Sequence, residues 1–354
     1  MKLNITMPKH PGPIFIIGAG SIVTDAHLPA YRIAGFKVAG IFDIDHAKAL
    51  AVAARFSIPT VFESLEDMLN EVTEDVIFDL AVPGSAIINI LRQLPEKAGI
   101  LMQKPMGNDL EDAKEILRIT RIRKQTAGVN FQLRYAPFIT VARNLIQQGK
   151  IGDLCDIEVN VDVYTPWHIW KFMNSLPRVE ILYHSIHYID LIRTFLGNPI
   201  GVYAKSTRHP EMKDLSSVRS DIILNYGEWM GVNIHTRHCN IFGSQHQEAF
   251  IKLEGTKGAI KMRMGVLMDY PIGRSDLFEY ISIDKNTAPK WETLEIEGSW
   301  FPHAFIGSMA QIMLAMDGSI TRPDNSVEDC IETMACVESA YQSDREGGVK
   351  LMSW

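Results

Sequence analysis

The sequence lacks any long apolar run. Its longest stretches, such as IFII (14–17) and VIF (76–78), fall far short of a membrane span, which takes about 20 apolar residues. No association with a membrane is expected. There is no CxxC motif. The four cysteines, Cys155, Cys239, Cys330 and Cys336, are scattered. That spacing argues against a disulfide framework or a cysteine zinc site, and it favours a reducing, cytoplasmic compartment. The opening MKLNITMPKHPGP has no apolar h-region and no cleavage site, so no signal peptide is read. Neither sign of charge dominates: 35 Lys and Arg stand against 42 Asp and Glu, a net −7. No global field draws the chain to nucleic acid. Internal repeats, low-complexity tracts and long linkers are also missing. What remains is a chain of 354 residues, 46% apolar and 22% charged. That composition describes a soluble globular protein, and the length is too great for one ordinary core, so two domains are expected.

The first third alternates apolar runs with helical patterns. IFIIG (14–18), FKVAGIFD (36–43), VIFDLAV (76–82), GILMQ (99–103) and TAGVNF (126–131) read as strands. Ser21–Arg32, His46–Phe56, Ser85–Leu94 and Asp109–Lys124 read as helices. Strands separated by helices imply right-handed βαβ units and a parallel, doubly wound α/β sheet, and burial of both faces explains the continuous apolar runs. After about residue 150 the pattern changes. Residues 156–164, 200–207, 220–226, 229–236 and 248–255 are β-rich, and turns such as NYGE and EGTKG join several of them. Helices are expected over Val179–Leu196, Phe301–Met316 and Ser326–Tyr341. The second domain is therefore α+β with a large, mainly antiparallel sheet.

The run IFII leads directly into GAGSIV. Gly18 allows the tight turn, and Gly20 lets the backbone approach a pyrophosphate. The helix opening near Ser21 presents free N–H groups to it. The usual third glycine is Val23. The next strand ends in Asp43, 23 residues after Gly20, where an acid accepts hydrogen bonds from a ribose and repels a 2′-phosphate. A dinucleotide is expected, with NAD favoured over NADP. Asp45 either adds charge there or caps the helix that starts at His46.

Lys104 and Pro105 follow the strand GILMQ. Open α/β sheets bind ligands beyond the carboxyl ends of their strands, so Lys104 is placed to polarise a substrate oxygen. In PRVEILYHSIHYIDLIRTFLG, a 100° projection puts Glu180, Tyr183, His184, His187, Asp190 and Thr194 on one arc, with Ile181, Leu182, Ile186, Ile189, Ile192 and Leu196 opposite. A neutral histidine on that face is suited to take a hydroxyl proton as hydride leaves the same carbon. Glu180, His184 and His187 also suggest a metal, but the histidines are three apart rather than four, as HExxH requires, and no metal is expected. Arg134, Trp167 and Glu180 are candidate substrate contacts, the tryptophan by stacking on a sugar ring. Alternation sends His235 and Arg237 to one face of their strand, and His303 is read as a packing or capping residue.

The pieces GAGSIVTDAHLPAY, DLAVPGSAIINI, QKP, NFQLRYAP, IQQGKIGDL, HSIHYIDLIRTFLG, LEGTKGAI and SVEDCIETMACVESAYQSDREGGVKL, spread over nearly the whole chain, resemble the Gfo/Idh/MocA family of glucose-fructose oxidoreductase and inositol dehydrogenase. The resemblance implies an N-terminal Rossmann domain, placed at 1–130, and a C-terminal domain at 131–354 for substrate binding and oligomerisation. It implies pyridine-nucleotide redox chemistry on a sugar, polyol or sugar acid. The cofactor contacts it implies are Gly18, Gly20, Ser21, Ile22, Asp43, Pro83, Gln103 and Lys104. It further implies a homodimer or homotetramer built through the C-terminal sheet. Two positions depart from the family pattern. Gln103 stands where the family has glutamate, and Tyr183 stands where it has aspartate. The expected catalytic set is therefore Lys104 and His187, with Tyr183 and His184 positioning the substrate. The departures leave open a non-catalytic NAD-binding sensor, and the family also includes enzymes that retain NAD for isomerisation or elimination.

Overall fold

The computed structural model describes residues 5–72, 76–270, 272–284, 286 and 288–352. It divides the chain into two compact bodies, one comprising residues 2–140 with 298–334 and the other residues 141–297 with 335–354.

In the first body, β1 (Ile14–Ile17), β2 (Val38–Phe42), β3 (Thr60–Val61), β4 (Ile77–Leu80), β5 (Gly99–Met102) and β6 (Thr126–Val129) form one sheet in the order 3-2-1-4-5-6. Every neighbouring pair is parallel. The chain reverses direction across the sheet between β1 and β4, where such folds open their ligand crevice. Strands β1, β4 and β5 are buried at every residue, the expected outcome for strands covered on both faces. The connecting helices are α1 (Leu28–Ala34), α2 (His46–Phe56), α3 (Leu65–Glu71), α4 (Gly84–Leu91) and α5 (Leu110–Ile122). Their ends carry local signals. Asp45, Ser64 and Asp109 accept hydrogen bonds from main-chain N–H groups as N-caps, and Gly35 ends α1 in the left-handed conformation. Asp45 is thus the cap of α2.

Helix α6 (Pro137–Gln147) precedes the second sheet. That sheet comprises β7 (Leu154–Asp162), β8 (Gly201–Thr207), β9 (Arg219–Asn225), β10 (Gly231–Arg237), β11 (Glu248–Gly255), β12 (Gly258–Arg263), β13 (Leu277–Ser282) and β14 (Glu292–Leu294). The order is 14-13-12-11-7-10-9-8, antiparallel except for the β7–β10 pair. Burial alternates along β9 and β10: Ile222, Leu224, Val232 and Ile234 face inward, whereas Asp221 and Ile223 are exposed. The sequence reading omits β3, β12, β13, β14, α3 and α6. Strands β3 and β14 have two and three residues, too short to show a period.

The stretch Val179–Leu196 departs from an ideal helix. Residues Ile181–Ser185 form a π-turn, in which the Ile186 N–H reaches back to the Ile181 carbonyl, and α7 (Ile186–Leu196) continues from it. The extra residue per turn breaks the 100° projection. Residues 186–193 are all buried, so no open polar face runs along this helix. Helix α8 (Ala304–Met316) packs with the first sheet: Phe305, Met309, Ile312 and Met313 share a core with Ile14, Ile16, Ile77 and Leu101. Helix α9 (Val327–Glu346) ends the regular structure. No described helix is long and apolar enough to cross a membrane.

Candidate active site

In the first body the glycine turn is built by two different requirements. Gly18 has φ +109°, and a Cβ there would lie 2.3 Å from the Ala81 carbonyl oxygen, so the turn against β4 admits no side chain. A Cβ at Gly20 would meet no atom within 4 Å. The fold itself has no steric need of glycine at that position, whereas a phosphate approaching the backbone does. The helix begins at Ser21 and Ile22. Asp43, just past β2, is held by two main-chain donors: the Ala19 N–H at 2.6 Å on Oδ2 and the Asp45 N–H at 2.8 Å on Oδ1. The carboxylate is thus tied to the glycine turn, with a lone pair left on each oxygen for further donors. These features fit a dinucleotide.

Pro83 caps α4 at the end of β4. Gln103 and Lys104 follow β5, and the Lys104–Pro105 peptide is cis. Lys104 is half-buried. Lost hydration lowers its ammonium pKa from the ordinary 10.5 to about 8. Behind it lies a buried polar chain that the sequence reading missed. His27 Nδ1 is 2.6 Å from Asp79 Oδ2, the Tyr31 hydroxyl donates to the same oxygen at 2.7 Å, and Asn130 and Gln103 approach His27 Nε2. The available signal was the aspartate inside VIFDLAV, a charge in the middle of a run expected to be buried on both faces.

Arg134 is 5% exposed, and its guanidinium is turned to its own body. It bonds the Asp324 carbonyl and, at 2.6 Å, Asp329 Oδ2. It clamps the turn after β6 to the start of α9 rather than facing open space as a substrate ligand would. His303 accepts the Ser299 N–H.

In the second body the π-turn gathers a second cluster. Glu180 is fully buried. Its Oε1 accepts from Thr236 Oγ1 at 2.7 Å and Ser185 Oγ at 2.8 Å, and it lies 3.8 Å from His238 Nε2. Burial raises the Glu180 carboxyl pKa above the usual range, and hydroxyl hydrogen bonds from Ser220, Thr236 and Ser185 oppose that rise. The His184 and His238 rings stack with centroids 4.1 Å apart, and Trp167 meets both edge-on. The indole N–H of Trp167 donates to the His238 carbonyl at 3.1 Å, so the tryptophan is packed inside and does not present an open face. Tyr183 is buried against Phe172, and burial raises its phenol pKa, which keeps it a proton donor at neutral pH. His187 is 9% exposed. The structure thus brings Glu180, His184 and Trp167 together around His238. His238 lies just beyond the end of β10 and continues its alternation, buried on the same face as Thr236. His235 and Arg237 point the other way, with His235 paired to Asp221.

A sheet of this order with an open glycine turn defines a dinucleotide-binding α/β fold, and a largely antiparallel sheet follows it in the second body. Residues 13–131 match the oxidoreductase family model described as an NAD-binding Rossmann fold, and residues 143–351 match the C-terminal alpha/beta domain of the same family. The chain belongs to this GFO_IDH_MocA family. It is 27% identical over 271 residues to the uncharacterized protein YMR315W of Saccharomyces cerevisiae, covering 71% of this chain and 73% of that one. It is 24% identical over 261 residues to the 1,5-anhydro-D-fructose reductase of Ensifer adhaerens, covering 73% and 77%. A crystal structure of an oxidoreductase from Agrobacterium radiobacter in complex with NAD+, L-tartaric acid and magnesium has the same fold, with TM-score 0.78 at 18% identity over 96% of this chain and 98% of that one.

Proposed function

We propose that the protein is an NAD-dependent dehydrogenase. Its substrate is a sugar, polyol, inositol or sugar acid, of which it oxidises a secondary hydroxyl or reduces the corresponding carbonyl. The observation that carries this reading is Lys104, a lysine with its pKa lowered to about 8, at the carboxyl end of β5 in a sheet whose glycine turn is open at Gly20. The nicotinamide gives or accepts the hydride. Gly18, Gly20, Ser21, Ile22 and Pro83 hold the dinucleotide, and Asp43 holds its ribose. Lys104 donates to the reacting oxygen and His187 takes or returns its proton, while Tyr183 and His184 orient the substrate. Trp167, edge-on to His184, and Glu180, near the His238 ring that stacks on His184, support this arrangement.

Residues 1–130 carry the dinucleotide task in this reading, and residues 131–354 carry the substrate and subunit tasks. The outward face of the second sheet exposes Tyr203 and Ile223, which supports pairing of two or four copies through it. The scattered cysteines, with no CxxC motif, support a cytoplasmic setting. A sugar acid is supported by the tartaric acid held by the Agrobacterium protein, and a sugar carbonyl by the reductase of Ensifer.

The test is a steady-state assay of the purified protein with NAD and a panel of polyols, aldoses and sugar acids. His187→Ala should lower kcat about 10²–10³-fold with little change in NAD affinity, as for loss of a general base. Undiminished turnover removes His187 from the mechanism. NAD binding with no turnover on any member of the panel would instead identify a sensor. Asp43→Ser should lower the NAD to NADP ratio of kcat/KM at least about tenfold, because it removes the charge that opposes a 2′-phosphate. An unchanged ratio places the selectivity elsewhere.

A further inference from the structure

The polar cluster of the second body is sealed except at one ring. Thr165, Glu180, Ser185, Ser220, Thr236 and His238 are 0–8% exposed, whereas His184 is half-buried. Strand β10 and the residue beyond it send Thr236 and His238 inward, two positions apart. Thr236 Oγ1 donates to Glu180 Oε1 at 2.7 Å, and the His238 ring lies beside the same oxygen, with Nε2 at 3.8 Å. The π-turn closes this cage. Its wider loop lets Ser185, five residues after Glu180, reach the carboxylate at 2.8 Å. Ser220 Oγ lies 3.1 Å from Ser185 Oγ and 2.9 Å from Thr236 Oγ1. At the other ring nitrogen, His238 Nδ1 is 2.9 Å from Thr165 Oγ1. The His238 main chain is tied as well. Its N–H donates to the Val218 carbonyl at 2.9 Å, and its carbonyl accepts the Trp167 indole N–H at 3.1 Å. The His184 ring stacks on this fixed ring, with centroids 4.1 Å and planes 32° apart, and Trp167 closes the side with its centroid 5.3 Å from that of His184.

We propose that His238 is a positioning residue: it sets the plane of the His184 ring, and Thr165 and Glu180 act by holding His238. The gain is preorganisation. An imidazole already held by two neighbouring rings loses little freedom when a substrate hydroxyl binds to it. Its orientation then decides whether that hydroxyl sits where hydride transfer requires, and a small misplacement is costly. The link to substrate binding rests on the reading of His184 given above; the hold of His238 on His184 does not.

A double-mutant cycle tests the proposal on the full-length protein. Thr165→Val keeps the side-chain volume and removes the hydroxyl at His238 Nδ1. It should lower kcat/KM for the sugar or polyol about threefold or more, carried by KM, with NAD affinity unchanged. His184→Ala alone should lower kcat/KM about tenfold or more. In the His184→Ala background, Thr165→Val should change kcat/KM by less than about twofold, because a residue that acts through His184 has nothing left to act on. A loss that persists without His184, as a merely structural role would give, overturns the proposal, and so does the absence of any loss in its presence. Glu180→Gln enters the same cycle from the other ring nitrogen, with the same expected pattern, and serves where Thr165→Val does not fold. The ring carbon–proton NMR signals of His184, assigned by their disappearance in His184→Ala, should shift in Thr165→Val. Signals that stay in place show that His238 does not set the ring and overturn the proposal. Wild-type kcat/KM in His184→Ala refutes the substrate role of His184 instead, and the ring signals still decide whether His238 positions it.

Discussion

Lys104→Met is expected to lower kcat/KM about 10³-fold and to leave the folded protein no less stable at pH 7. The first effect is the loss of the donor to the reacting oxygen, within the range of general acid–base contributions. The second follows from the direction of the pKa change. Lys104 is lowered from 10.5 to about 8 in the folded protein, so between these values the unfolded chain binds the extra proton and the folded one does not. Folding stability of the wild type then rises with pH across that window. Below pH 8 the desolvated ammonium opposes folding, and methionine removes that opposition. Any stability advantage of the variant should shrink as pH rises from about 8 and vanish above about 10.5. Thermal unfolding at a series of pH values reads this directly. A variant that is less stable at pH 7 would show that the ammonium makes favourable bonds outweighing its lost hydration. In the wild type, carbonyl reduction should fall about tenfold per pH unit above pH 8, as Lys104 loses its proton.

The two glycines of the turn should separate folding from binding. Gly18→Ala places a methyl 2.3 Å from the Ala81 carbonyl oxygen at φ +109°. Both the clash and the backbone strain oppose the native turn, and a loss of roughly 3 kcal/mol or more is expected. A clear fall in midpoint temperature, or insoluble protein, is the expected result. Gly20→Ala meets no atom within 4 Å, so its midpoint should stay within about a degree of wild type while NAD affinity falls at least about tenfold, since the methyl occupies space the pyrophosphate needs. Calorimetry and dinucleotide titration on the same preparations separate the two. Equal NAD affinity in wild type and Gly20→Ala would mean that the open space at Gly20 serves no ligand.

Much of this architecture was legible because the signals are local. A parallel strand covered on both faces has to be a short apolar run, and IFII, IFDL and GILM are such runs. The turn GAGS and the acid 23 residues beyond Gly20 announce a dinucleotide fold at the residues where the structure places them. Alternation along the second half shows β9 and β10, since one face of that sheet is buried and the other is not. The helix of Tyr183, His184 and His187 was legible as an element but not as a surface. A π-turn over Ile181–Ser185 shifts the phase, and apolar periodicity alone does not report it.

The sequence by itself determined the two fold classes, the glycine turn, the position of Lys104 after β5 and the family. Only the tertiary structure decided which distant side chains share a buried site. His27 meets Asp79 from 52 residues away and Asn130 from 103, and Thr236 reaches Glu180 across 56. Helix α8, nearly 300 residues after β1, completes the core beneath the first sheet. Strand order sets these meetings, and strand order arises from burying whole faces together, whereas periodicity and turn chemistry act within a few residues.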